Sequence, residues 1–189
     1  MPIDSNFRER WCDGDETSSL VVFRTESLID VAVPDDAKAF LSSAGLPESA
    51  APFLSFAAPT TGSLQTAAAA WQLSPDYKQY HIIGSNGSGD PLCIDETRNG
   101  QIIYLNHELN FRRILINSSV AQLAESLLAF RHVVREAQRR NGDDAFLDGD
   151  VPGDLQQWLL SELTRIDLPA THVDYFWSQT MDDIRTSAT

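Results

Sequence analysis

The sequence predicts an α+β fold, and three observations point to it. Between Tyr80 and Asn117, four short apolar runs alternate with tight-turn residues, the pattern of strands joined as an antiparallel meander. From Val120 the apolar spacing changes to the helical period, and Val120, Leu123, Ala124, Leu127, Phe130 and Val134 fall on one helical face. The strands are grouped together and the helices lie outside that group, which argues against an alternating parallel sheet.

Taken in order, residues 1–19 are polar and read as an N-terminal arm, extended or weakly ordered. Residues 20–189 read as a single α+β domain, since no internal repeat or low-complexity linker divides them. Leu20-Val21-Val22-Phe23 is a short strand candidate. Pro34 opens a helix over Asp35–Ala44, with Asp35 and Asp36 suited to the positive end of its dipole. Gly45 and Pro47 stop it. Residues 46–56 read as a turn entering a short strand, and most of 57–76, rich in Ala, Thr, Gly and Ser, reads as loop.

The meander follows, with strands at 80–84, 91–95, 101–105 and 113–117. Residues 85–90 form one turn, and Asn99-Gly100 marks a hairpin between the second and third strands. Ser119 and Gln122 make a capping box for the long helix, which Arg139, Arg140 and Asn141-Gly142 close. An acidic loop, 143–154, leads to a second helix over Asp154–Ile166, with Leu155, Leu159, Leu163 and Ile166 on one side and Trp158 beside them. Tyr175-Phe176-Trp177 reads as a terminal apolar segment packed on the core.

Composition restricts the function. The chain of 189 residues is 42% hydrophobic and 22% charged, ordinary values for a folded protein. Its formal net charge is −13, which repels phosphate and argues against a nucleic-acid partner. Six arginines against two glutamates make residues 110–141 net +4, so the remainder carries −17, with a local maximum at Asp143, Asp144, Asp148, Asp150 and Asp154. The polar N-terminus lacks the apolar stretch of a secretory signal, and no run approaches the roughly 20 apolar residues of a membrane span. A cytoplasmic location away from membranes is therefore expected, with Cys12 and Cys93 unpaired.

The motifs that carry chemistry are incomplete. Gly84-Ser-Asn-Gly87-Ser-Gly89 lacks a Gly-Lys-Ser/Thr ending and runs into a strand, so it reads as a turn rather than a phosphate loop. His107-Glu108 has Phe111 where a zinc motif needs its second His. The run from Asp148 to Leu159 has Pro152 at a ligand position and Leu159 where a calcium loop needs Glu. No Gly-x-Ser-x-Gly elbow is present. No cofactor, metal or catalytic residue is expected.

Three stretches do form a pattern together. They are Gly45-Leu46-Pro47 with Pro52-Phe53-Leu54-Ser55-Phe56; Ile82 to Gly87 with Pro91 to Asp95 and Gly100 to Glu108; and Ile116-Asn117-Ser118-Ser119 running on to Leu128. In order and spacing, residues 46–134 resemble the fourth group of the SUKH superfamily of bacterial immunity proteins. That resemblance implies a central, strongly bent, mainly antiparallel sheet with helices packed around it. It implies a non-enzymatic antidote that binds a cognate toxin, often a nuclease or deaminase, and it supplies no catalytic residue to carry over.

The charge agrees with that expectation, because an acidic inhibitor is steered toward the basic cleft of a nucleic-acid enzyme. The candidate toxin-contacting patch is Asp143, Asp144, Asp148, Asp150 and Asp154, extended by Asp95, Glu96 and Glu108 at strand ends. The alternatives are an interaction module for a regulatory or assembly partner, and a hydrolase whose site has no linear signature. The sequence leaves the oligomeric state open.

Overall fold

A computed structural model describes residues 3–13 and 19–187, with the side chains of 3–5 and 186–187 outside the description. Six strands form one antiparallel sheet in sequence order: β3 (Ser49–Ala50), β4 (Leu54–Phe56), β5 (Tyr80–Asn86), β6 (Pro91–Asp95), β7 (Gln101–Asn106) and β8 (Arg112–Asn117). The meander expected from the sequence is therefore present, with β4 and a short β3 added at its edge. A separate two-stranded ribbon pairs β1 (Leu20–Val21) with β2 (Leu46–Pro47). The architecture is that of a single α+β domain.

Side chains alternate across the sheet as the two-residue period requires. Leu92, Ile94, Ile102, Tyr104, Ile114 and Ile116 point into the main core, whereas Cys93, Ile103, Leu105 and Leu115 belong to a smaller cluster on the opposite face. Both faces are covered, so β6 and β7 read as near-continuous apolar runs. Burial pushes the Cys93 thiol far up from its usual range, as expected for a structural thiol. Gly84 sits where a Cβ would fall 2.0 Å from the Ser55 carbonyl oxygen. Only glycine allows β4 and β5 to approach so closely at the bulge between Ile82 and Gly84.

The main face is covered by helices. These are α1 (Ile3–Cys12), α2 (Asp35–Ser43), the long α4 (Val120–Asn141), α5 (Gly153–Ile166) and α6 (Phe176–Ser187). Ser119 caps α4 as expected, its hydroxyl accepting from the Gln122 N–H at 3.2 Å. Val120, Leu123, Ala124, Leu127 and Phe130 are buried along α4, and Val133 is buried more deeply than Val134. Trp177 and Phe176 at the start of α6 enter the core, so the terminal apolar segment packs as expected.

One expectation is corrected. The N-terminal segment is not an extended arm over residues 3–12: it forms α1, which buries Phe7 and Trp11. These two lie four apart and so share a face. Phe7 packs on Phe40, Arg131 lies over the Trp11 ring, and Arg10 grips Glu125 with two bonds of 2.6 and 3.0 Å. Residues 14–18 of that expectation lie outside the described residues. Residues 57–76 are mostly loop, as expected, with a short helical insertion. Thr66 caps a single turn of helix, α3 (Ala67–Ala70), and Ala67 packs into the second sheet face. Alanine's high helix propensity and a Thr cap are sufficient for a turn that tertiary contacts hold.

Among the described residues, no helix is long and apolar enough to cross a membrane.

Candidate functional site

The acidic segment between α4 and α5 is an ordered loop. Gly142 ends α4 with φ +105°, and the chain then folds back through backbone bonds from Ala145 to Gly142, from Asp148 to Asp144 and from Asp150 to Ala145. Gln138 and Asn141 donate side-chain bonds to the carbonyls of Asp143 and Asp150. Ala145 and Val151 are buried, and Phe146 meets Phe130 edge-on at 5.5 Å. These apolar anchors fix the loop to the core and turn its carboxylates outward.

Asp143, Asp144, Asp148 and Asp150 are all exposed. Among the described residues none of the four pairs with a cation, so their charge is available to a partner. Asp154 differs: its carboxylate accepts from Arg140 at 2.8 Å. Arg140 also pairs with Glu136, which Arg139 grips through two bonds. Bonds from Arg139 and then Arg140 hold the Glu136 carboxyl down at about 2, and Arg140 lowers Asp154 in the same way.

The strand-end candidates are dispersed. Asp95 is only 1% exposed and accepts from the Thr97 N–H, the Thr97 hydroxyl and Arg113 Nε. Its side chain follows the β6 alternation onto the second sheet face, so it caps a turn and neutralises Arg113 instead of extending a surface patch. Glu96 is half-buried and bonded to His81 Nε2 at 2.9 Å. It lies at the far end of β6, roughly 13 Å along the strand from the turn that precedes Pro91. Glu108 is exposed beyond β7, in the turn 107–109.

Beside the acidic loop lies a groove of about 570 Å³. Pro52 and Phe53 of the β3–β4 turn form one wall with Gly87 and Ser88 of the β5–β6 turn. Phe146, Leu147, Gly149 and Val151 of the loop form another. Phe176, Thr180, Asp183 and Ile184 of α6 complete it, at the spacing that puts four residues on one helical face. Phe53 and Leu147 are 67% and 70% exposed, among the highest values for large apolar side chains of the described residues. Phe53 holds φ +58°, a conformation that costs a bulky residue free energy and that marks functional positions more often than others.

The β5–β6 turn under Phe53 is pinned from two sides. Asn86 Oδ1 accepts from the N–H groups of Ser88 and Asp90. The buried Asp90 carboxylate accepts from Asn86 Nδ2 at 3.0 Å, the His107 N–H at 2.9 Å and His107 Nδ1 at 2.6 Å. An Asp–His pair of this kind can orient a catalytic imidazole. Among the described residues, however, no hydroxyl or thiol is hydrogen-bonded to the His107 ring, which stacks on Trp71. Here the pair fastens the turn to the end of β7. The Gly84–Gly89 run is thus the end of a strand and a turn, not a phosphate loop.

Sequence reasoning reached the acidic loop but not the groove. Phe53 reads as the entry to a strand, and Leu147 as one apolar residue in a polar loop. Their exposure follows from a positive-φ turn and from the docking of Phe146, neither of which has a linear signature.

A family model described as SUKH-4 immunity protein matches residues 11–183 of this chain. No curated protein and no solved structure matches it.

Proposed function

The chain belongs to the SUKH-4 immunity protein family, and from that premise we propose that it binds a cognate bacterial toxin in the cytoplasm and neutralises it without catalysis. The toxin is a nuclease or deaminase whose nucleic-acid cleft is basic. Family membership over residues 11–183 carries the reading. The net charge of −13 and the four unpaired carboxylates on an anchored loop support the choice of a basic partner. Such a surface raises the encounter rate with a cationic cleft and repels the nucleic acid that competes for it. Because the loop is fixed by Ala145, Phe146 and Val151, little ordering entropy is lost when it binds.

The test is survival of cells that express the toxin domain encoded beside this gene, with and without this protein. Rescue that depends on this protein, together with a one-to-one complex of the purified pair, is the expected result. Equal killing in both strains, with the toxin active and this protein folded, would reject neutralisation and favour an interaction module with a different partner.

A further inference from the structure

We propose that the groove between the β3–β4 turn, the acidic loop and α6 is the docking site for an apolar side chain of the toxin that is flanked by lysines or arginines. This inference rests on the immunity reading and adds the contact face and the chemistry of the occupant.

Three observations converge on the groove. Its rim carries Phe53 and Leu147, two large apolar side chains that are 67% and 70% exposed. A few side chains seated in well-packed, desolvated pockets supply most of the binding energy at protein interfaces. Its floor is buried Phe176, Val151 and Ile184, so an incoming side chain meets apolar contacts on several sides and loses its water.

The backbone holds Phe53 in place at a cost. At φ +58° a phenylalanine is strained, and Gly87 opposite has no side chain, which leaves room for the Phe53 Cβ. The Asn86–Asp90–His107 bonds keep that glycine turn from moving away. A strained aromatic presented to solvent by a pinned turn is preorganised for contact.

Charge selects the occupant. The loop that supplies Phe146, Leu147, Gly149 and Val151 to the groove also carries Asp143, Asp144, Asp148 and Asp150 on its outside. A partner that seats an apolar side chain between Phe53 and Leu147 therefore brings its neighbouring residues beside unpaired carboxylates. Cations are favoured there and acids are rejected.

The experiment measures binding of a catalytically inactivated form of the adjacent toxin domain by titration calorimetry. It uses the wild-type protein, Leu147→Glu, Phe53→Ala, and Leu168→Glu as a control at an exposed position that does not line the groove. Circular dichroism melts establish that each variant is folded. The expected result is at least tenfold weaker binding for Leu147→Glu and for Phe53→Ala, with unchanged affinity for Leu168→Glu. Leu147 lies in a loop and is largely exposed, so its variant keeps the test valid even where Phe53→Ala loosens its turn.

Wild-type binding and rescue with both groove variants within about twofold of wild type would overturn the groove while leaving immunity intact. A wild-type dimer that Leu147→Glu converts to a monomer would assign the groove to a second copy and also overturn the proposal. Absence of any wild-type binding or rescue would reject the immunity reading itself, and the groove proposal with it.

Discussion

The indole N–H of Trp177 donates to Asn117 Oδ1 at 3.0 Å in a position closed to solvent. Asn117 passes the connection on, donating to Ser126 Oγ at 3.2 Å and to Asp167 at 3.1 Å. The Asp167 carboxylate accepts further from the Ser118 N–H at 2.6 Å and the Ser118 hydroxyl at 2.8 Å. One buried network thus ties the end of β8, the start of α4, the end of α5 and the start of α6. Trp177→Phe keeps an aromatic ring but leaves a small cavity and strips Asn117 Oδ1 of its donor, at a cost of about 2–4 kcal/mol. Asp167→Ala strands three donors and costs about 2–3 kcal/mol or more. Urea titrations that read the midpoint at constant slope check both values.

That network also shows where sequence reading stops. Ser119 reads as a helix cap from its spacing to Gln122, and it is one. Ser118, its neighbour, has no such local signature, and its partner is Asp167, 49 residues away. The β6–β8 strands and α4 are legible because each repeats its own period over many residues. The helical α1 is not, because Phe7 and Trp11 are two anchors in a polar segment whose stability comes from docking on α2 and α4. Asp95 shows the same limit at the candidate site. Its type and strand-end position suggest surface charge, while its side of the pleat puts it under Arg113.

Gly87→Ala tests the support of Phe53. The added Cβ would lie 2.9 Å from the Phe53 Cβ, closer than two carbons tolerate, so the aromatic or its turn must shift. Overpacking of this kind costs about 1–2 kcal/mol, expected as a lower melting temperature. Because the groove wall moves with it, toxin binding by this variant is expected to weaken more than binding by Gly89→Ala. A Cβ at Gly89 meets nothing within 4 Å, although its φ of +82° carries strain of its own. Equal affinities for the two variants would show that Phe53 is not positioned for contact.

The Glu136 cluster has a defined acid response. Its carboxyl sits at about 2 in the folded protein, below the ordinary 4.5, because Arg139 and Arg140 bond its charged form. A depressed folded value means the cluster contributes above the unfolded value and is lost as pH falls from about 4.5 through about 2. Glu136 is half-buried but its arginine partners reach solvent, so the contribution is small and screened by salt. Carbon-detected NMR of the Glu136 side chain is expected to give a midpoint near 2, moving up toward 4.5 in Arg139→Ala and in 1 M salt. A midpoint already near the ordinary value in the wild type would show that the ion pairs do not persist in solution.

Charge reversal separates the two kinds of acid in the loop. Asp148 and Asp150 have no cationic partner among the described residues, whereas Asp154 is held by Arg140. Changing Asp148 and Asp150 to Lys alters the charge by +4 on the surface offered to the toxin. At low ionic strength this is expected to slow association by about tenfold or more, with a smaller effect on dissociation. Near 1 M salt the Debye length falls to about 3 Å, and the difference from wild type should largely vanish. Asp154→Asn changes the charge by only +1 and exposes no new acid, so its association rate should fall much less than that of the double reversal. Stopped-flow rates across a salt series distinguish these outcomes. Association unchanged by the double reversal would place the toxin's basic surface elsewhere, because long-range attraction cannot be indifferent to four charges at the contact.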